Sequence, residues 1–136
     1  MADFPMHLKT SSEEAILMTA AGAALPRFDG RSVEQLKNHG FSMDEIYRFV
    51  APRRTLARRI EKNEQLTLGE TDAAQRILRI SELADRVFEE REKAQRWLRK
   101  PSRALHNIVP LDLLVSETGA RLVEDELIRI EYGIYI

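Results

Sequence analysis

Between Arg48 and Lys62 lie six basic residues (48, 53, 54, 58, 59 and 62) and one acid (Glu61), a local balance of +5. Lysine and arginine neutralise phosphates, and the planar arginine fork can also read guanine O6 and N7. At about 100° per residue, a helix through this run turns Leu56 and Ile60 inward. Arg54, Thr55, Arg58 and Lys62 then face outward, with Arg59 flanking them. Recognition helices contact bases from their N-terminal turns, which favours Arg54, Thr55 and Arg58. The candidate DNA contacts are Arg53, Arg54, Thr55, Arg58, Arg59 and Lys62. A solvated basic helix face has the same residue types.

The other end has the opposite sign. Residues 111–136 hold six acids (112, 117, 124, 125, 126 and 131) and two bases (121 and 129), a balance of -4. This stretch is also apolar and aromatic, ending in Ile130, Tyr132, Ile134, Tyr135 and Ile136. Such residues are costly to leave in water, so the end either folds back on the core or docks into a partner. From the residues alone, folding back is the simpler arrangement.

Enzyme chemistry finds no support. His7, His39 and His106 lack an Asp, Glu or His at helical spacing that would complete a metal site. No glycine-rich phosphate loop occurs. Glu124, Asp125 and Glu126 are adjacent and cannot all face one helical site. The chain has no cysteine, which excludes a disulfide framework and thiolate chemistry and suits a reducing cytoplasm. We expect a non-enzymatic chain with no cofactor and no metal. Neither a secretory signal nor an apolar run of about 18 residues is present, so no membrane partner is expected.

The elements that must position these residues are all helical. Ser12-Glu13-Glu14 could start a helix through Ile16, Leu17 and Met18 that Leu25-Pro26 would end; Phe28-Asp29-Gly30 reads as a turn. Three capping boxes follow, Ser32–Gln35, Ser42–Glu45 and Thr67–Glu70. The first opens a short helix that stops at Asn38-His39-Gly40. The second opens a helix bearing Ile46, Phe49 and Val50, which Pro52 breaks. Residues 53–63 form the next. The third opens a long helix to about Glu90, with an apolar stripe through Ile77, Ile80, Leu83, Ala84, Val87 and Phe88. Ala94, Trp97 and Leu98 resume the pattern. Pro110 suits the first turn of a helix containing Leu111, Leu113 and Leu114, and Gly119 ends or kinks it. A last helix carries Leu122, Val123, Leu127, Ile128 and Ile130 and ends at Gly133.

With 136 residues, 43% hydrophobic and 32% charged, and a net charge of -1, the chain has an ordinary globular composition and room for one domain or two small ones. Short capped helices over residues 32–62 look like a helix-turn-helix unit.

Two stretches together resemble a known family. Ala94-Gln95-Arg96-Trp97-Leu98, Pro101, Ala104-Leu105, Pro110-Leu111-Asp112-Leu113-Leu114, Gly119, Val123, Leu127, Ile130, Tyr132 and Gly133 are similar in order and spacing to the toxin-binding domain of Xre/MbcA/ParS-type antitoxins. Pro52-Arg53-Arg54-Thr55-Leu56-Ala57-Arg58-Arg59, followed by Leu66, Leu68 and Glu70, resembles the Xre-like helix-turn-helix of the same antitoxins. The family often has glycine where His106-Asn107 stands here; asparagine can adopt the left-handed conformation that glycine supplies.

The resemblance implies an all-α chain in three parts. Residues 1–30 would be partly disordered or helical, 31–90 an Xre-like helix-turn-helix DNA-binding region, and 91–136 a small helical toxin-binding domain. It implies an antitoxin of a type II system, paired with a cognate RES-domain toxin that consumes NAD or uses it to modify a target. The C-terminal region would block the toxin's active site through Ile128, Glu131, Tyr132, Gly133, Ile134, Tyr135 and Ile136. An acidic, apolar plug would complement a cleft built to attract pyrophosphate. A homodimer, within a larger hetero-oligomer with the toxin, would set two basic helices about 34 Å apart on operator DNA and repress its own operon. Two rivals stand beside this reading. One is a stand-alone helix-turn-helix regulator with a C-terminal dimerisation domain; the other is an adaptor that binds no DNA.

Overall fold

The computed structural model of the chain describes Glu13 and residues 27–133. The expectations for the rest of residues 1–26 and for Ile134, Tyr135 and Ile136 lie outside the described residues. Six α-helices follow one another after residue 27: α1 (Gly30–Asn38), α2 (Met43–Phe49), α3 (Arg53–Glu61), α4 (Leu68–Phe88), α5 (Arg91–Arg99) and α6 (Glu117–Glu131). Two 3₁₀ turns, Arg103–Leu105 and Pro110–Val115, join α5 to α6. The fold is all-α. Among the described residues the one extended pairing is an isolated bridge between Ser102 and Ile108.

Helix starts follow local side-chain chemistry. Ser42 Oγ accepts from Glu45 N at 3.1 Å, while Glu45 Oε1 accepts from Ser42 N at 2.9 Å. Thr67 and Glu70 repeat this exchange at the head of α4. Each box satisfies two amides that the helix itself leaves free. The box expected at Ser32 forms one turn earlier. Asp29 is the cap, accepting from Arg31 N at 2.9 Å, and Ser32 is the third helical residue, its Oγ accepting from Asp29 N at 3.3 Å. Phe28 explains the shift. Its N–H donates to Thr71 Oγ1 at 3.0 Å and its carbonyl accepts from Leu66 N at 2.7 Å, so the first turn of α4 and the segment leading into it pin the chain just before Asp29.

α4, with 21 residues and about 30 Å long at 1.5 Å per residue, is the spine. It packs against α5 and α6 and also meets α1 and α2. Ile77, Ile80 and Ala84 along it are fully buried, as are Ile46, Leu56, Leu98, Val123 and Leu127 from its neighbours. Burial of each large aliphatic side chain stabilises the fold by about 1.5–3 kcal/mol. Trp97 packs half-buried against Phe88, with ring centroids 5.8 Å apart. Glu89 turns the chain from α4 into α5 in a left-handed conformation. No helix among the described residues is long and apolar enough to cross a membrane.

Two expectations change. Residues 110–115 form a 3₁₀ turn rather than an α-helix. Gly119 neither ends nor kinks a helix: Ser116 caps α6 by accepting from Gly119 N at 3.0 Å, and Gly119 lies in the first turn. A Cβ there would sit 1.9 Å from the Leu113 carbonyl oxygen, so glycine is needed for close approach. The His106-Asn107 turn forms with both residues left-handed, at φ 57° and 63°.

Candidate functional site

Two outward faces carry the residues that the sequence singles out. The first belongs to α3. The turn from α2 passes through buried Val50 and Ala51, and Pro52 starts α3 with no side-chain cap. α3 therefore follows α2 after a short connection and is anchored to the core through Leu56. Arg53, Arg54, Arg58 and Lys62 are exposed, and Thr55 is half-buried. Arg53, Arg54 and Lys62 have no ion-pair partner among the described residues; Arg58 Nε lies 3.8 Å from Glu64 Oε1.

Arg59 and Ile60 exchange the roles their spacing predicts. Ile60 is 46% exposed, lying beside Gly30 at the start of α1. The Arg59 side chain is 14% exposed. It lies 2.7 Å from Glu70 Oε1 and 3.2 Å from Glu64 Oε2. The cause is electrostatic: the chain after α3 brings two carboxylates under the helix, and a guanidinium on a long stem reaches them where an isoleucine cannot. Burial alone would raise the Glu70 carboxyl, but the Thr67 amide and Arg59 outweigh it and hold it below the usual carboxylate range.

The second face belongs to α6. Val123 and Leu127 enter the core, whereas Leu122, Ile128 and Tyr132 are 49%, 37% and 71% exposed. Gly133 ends the helix at φ 66° and is exposed. Tyr132 therefore does not fold back. Glu131 is drawn onto α4, where Arg86 Nε lies 3.2 Å from its Oε2.

The acidic end of the sequence is not an acidic surface. Asp112 pairs with Arg48 at 2.8 Å, Glu126 with Arg129 at 3.2 Å, and Glu131 with Arg86. Glu117 receives both Arg76 and Arg79, at 3.1 and 2.8 Å. The Arg79 hydrogen bond leads the causes that hold its carboxyl below the usual range; burial, acting the other way, is the smaller influence. Among α6 acids, Glu124 and Asp125 have no ion-pair partner among the described residues. Three-dimensional pairing thus removes most of the charge contrast between the two ends and leaves exposed apolar side chains as the distinctive feature of α6.

The sequence that folds into these helices is similar to known proteins. The family described as "Antitoxin Xre/MbcA/ParS C-terminal toxin-binding domain" matches residues 83–133. A relative from Photorhabdus laumondii, named Antitoxin Xre, is 30% identical over 105 residues, covering 75% of this chain and 71% of its own length. The chain belongs to the Xre/MbcA/ParS antitoxin family. A second Antitoxin Xre, from Pseudomonas putida, is 38% identical over 84 residues, 62% of this chain and 53% of that protein. A third, from Yersinia enterocolitica, is 33% identical over 85 residues, 62% of this chain and 57% of that protein. The chain thus spans little more than half the length of the Pseudomonas and Yersinia relatives.

Within this antitoxin-family chain the match begins inside α4, so the domain that the family defines includes the C-terminal end of the spine, from Leu83 to Phe88. Sequence reading missed Leu122 as a surface residue, because its helical neighbour Val123 is core and both are aliphatic. It also missed the contacts that join the basic and C-terminal regions. Arg48, counted among the basic residues near α3, spends its charge on Asp112, 64 positions away.

Proposed function

We propose that the chain is the antitoxin of a type II toxin–antitoxin pair, acting through two faces. The outer face of α6, with the residues after it, covers the active-site cleft of a RES-domain toxin that consumes NAD. The outer face of α3 binds operator DNA and represses the operon. The division of labour falls near residue 90, with 31–90 serving DNA and 91–136 serving the toxin. In the cytoplasm the working unit is a homodimer inside a hetero-oligomer with the toxin. No step requires catalysis by this chain, and inhibition is steric and reversible.

The observation that carries the toxin half is the exposure of Tyr132 (71%), one turn beyond Ile128, at the end of a helix whose other face is core and whose Leu122 is also exposed nearer its start. Aromatic side chains that stand free in the monomer are common anchors at interfaces. Because most nearby carboxylates are already paired, apolar contact rather than charge complementarity dominates the fit. Arg53, Arg54 and Lys62 support the DNA half, since cations not consumed by internal pairs are available to phosphates and bases.

Co-expression with the product of the adjacent gene tests the toxin half. The full chain restores growth and co-purifies with that product, and deletion of residues 132–136 abolishes protection. Undiminished protection by the shortened chain overturns the plug. A stand-alone regulator, the alternative, shifts promoter DNA but neither protects nor co-purifies.

A further inference from the structure

α5 lies outside both proposed faces, yet it holds the helix-turn-helix. Where the chain leaves α1, three successive carbonyls, of the last helical residue Asn38, the cap His39 and the turn residue Gly40, each receive a donor from α5. Arg91 Nη1 donates to the Asn38 carbonyl, Gln95 Nε2 to the His39 carbonyl at 2.9 Å, and Arg99 Nη2 to the Gly40 carbonyl at 3.1 Å. Gly40 permits this approach: it is left-handed at φ 97°, and a Cβ there would come within 3.1 Å of Gln95 Cδ.

Arg99 does more than cap α1. Its Nη2 and Nε meet Glu45 Oε1 and Oε2 at 2.8 and 3.0 Å, a two-pronged pair. It also hydrogen-bonds Gln95 and stands over the Phe41 ring at 5.7 Å. Glu45 is the capping-box residue of α2. One guanidinium therefore grips the end of α1 and the start of α2 together. Bidentate arginine–carboxylate pairs fix orientation as well as distance. The pose of α2 passes to α3 through the short, buried turn that ends in Pro52.

We infer that Arg99 is a positioning residue for DNA reading, through which the C-terminal domain sets the angle at which α3 meets the duplex. Arg99 acts in this way only if α3 reads DNA as proposed above. It touches neither α3 nor the toxin-facing side of α6, so its removal weakens DNA binding while leaving toxin neutralisation intact.

The test uses the full chain and a labelled duplex taken from directly upstream of its own gene, titrated at several salt concentrations. Arg99→Met lowers affinity about tenfold, within the range by which non-contacting residues modulate coupled sites. The slope of log affinity against log salt stays unchanged, because no phosphate contact is lost. Glu45→Gln, which keeps the acceptor for the Ser42 amide, produces the same pattern, and it decides the matter if Arg99→Met does not fold. Combining the two substitutions adds little to either alone. Wild-type affinity in the variants overturns the inference, and so does a slope reduced by about one unit, which would make Arg99 itself a phosphate contact. If the wild-type chain fails to shift the duplex, the DNA reading falls and the inference with it, an outcome separate from the other two.

Discussion

The carbonyl oxygen of Leu113 occupies the place where a side chain on residue 119 would begin, 1.9 Å from a Cβ built on Gly119. The 3₁₀ turn of residues 110–115 therefore presses its backbone directly against the first turn of α6. Gly119→Ala forces the two apart and destabilises the chain by about 1–3 kcal/mol, the usual cost of overpacking. Thermal unfolding measures this. A melting temperature equal to wild type contradicts the close approach.

Two arginines of α3 should behave differently. Arg59→Ala leaves Glu70 partly buried without its counter-ion and costs roughly 3 kcal/mol of stability. Arg54→Ala removes an exposed side chain and changes stability by less than about 0.5 kcal/mol. In mobility shifts, Arg54→Ala with Arg58→Ala abolishes promoter binding while the folded protein still neutralises the toxin. Joint loss of both activities counts against separate faces.

At α6, Tyr132→Ala weakens binding to the co-expressed toxin by about 2 kcal/mol, near thirtyfold, as expected for an aromatic anchor. Ile128→Asp weakens it further by placing a charge in an apolar contact. Neither substitution alters unfolding appreciably, because both side chains are exposed. Calorimetric titration of the purified pair supplies the numbers. Unchanged affinity in both variants removes α6 from the interface.

Acid should loosen the fold through three glutamates. Burial pushes the Glu45 carboxyl up, but Arg99 and the Ser42 amide more than offset this and hold it below its ordinary value of 4.5. Glu70 and Glu117 are held down as well. Each carboxyl binds a proton less readily folded than unfolded, so unfolding takes up protons as pH falls. The stability they contribute is whole above pH 4.5 and is lost as pH drops through their lower folded values. Melting temperature recorded from neutral pH down into this range should decline below it, and Glu45→Gln should blunt the decline. A flat profile in the wild-type chain argues against the pairs.

Much of the architecture could be read from short-range chemistry. Ser42 with Glu45 and Thr67 with Glu70 announce helix starts because capping needs only neighbours. Pro52 and Gly133 mark ends for equally local reasons. The start of α1 is ambiguous in the sequence because Asp29 and Ser32 are both good caps, and the choice rests on Phe28 bonding to Thr71, 43 positions away. The inward and outward faces of α3 depart from the periodic pattern at Arg59 and Ile60, since helical periodicity cannot foresee Glu70 beside the helix. The same limit hid Arg99 against Glu45 and the neutralisation of the acidic end by arginines of α2 and α4. On α6, Tyr132 as an exposed residue was open to either fate in the sequence, and only packing decides that it faces outward.

The donors that α5 offers to the end of α1 bear on how such chains can exchange parts. A recombinant that joined residues 27–90 to the C-terminal half of another protein would inherit three main-chain oxygens cut to fit Arg91, Gln95 and Arg99. Unless the incoming half brought matching side chains at those positions, the hybrid would keep the outer face of α3 yet lose the hydrogen bonds that tie the turn after α1 to α5.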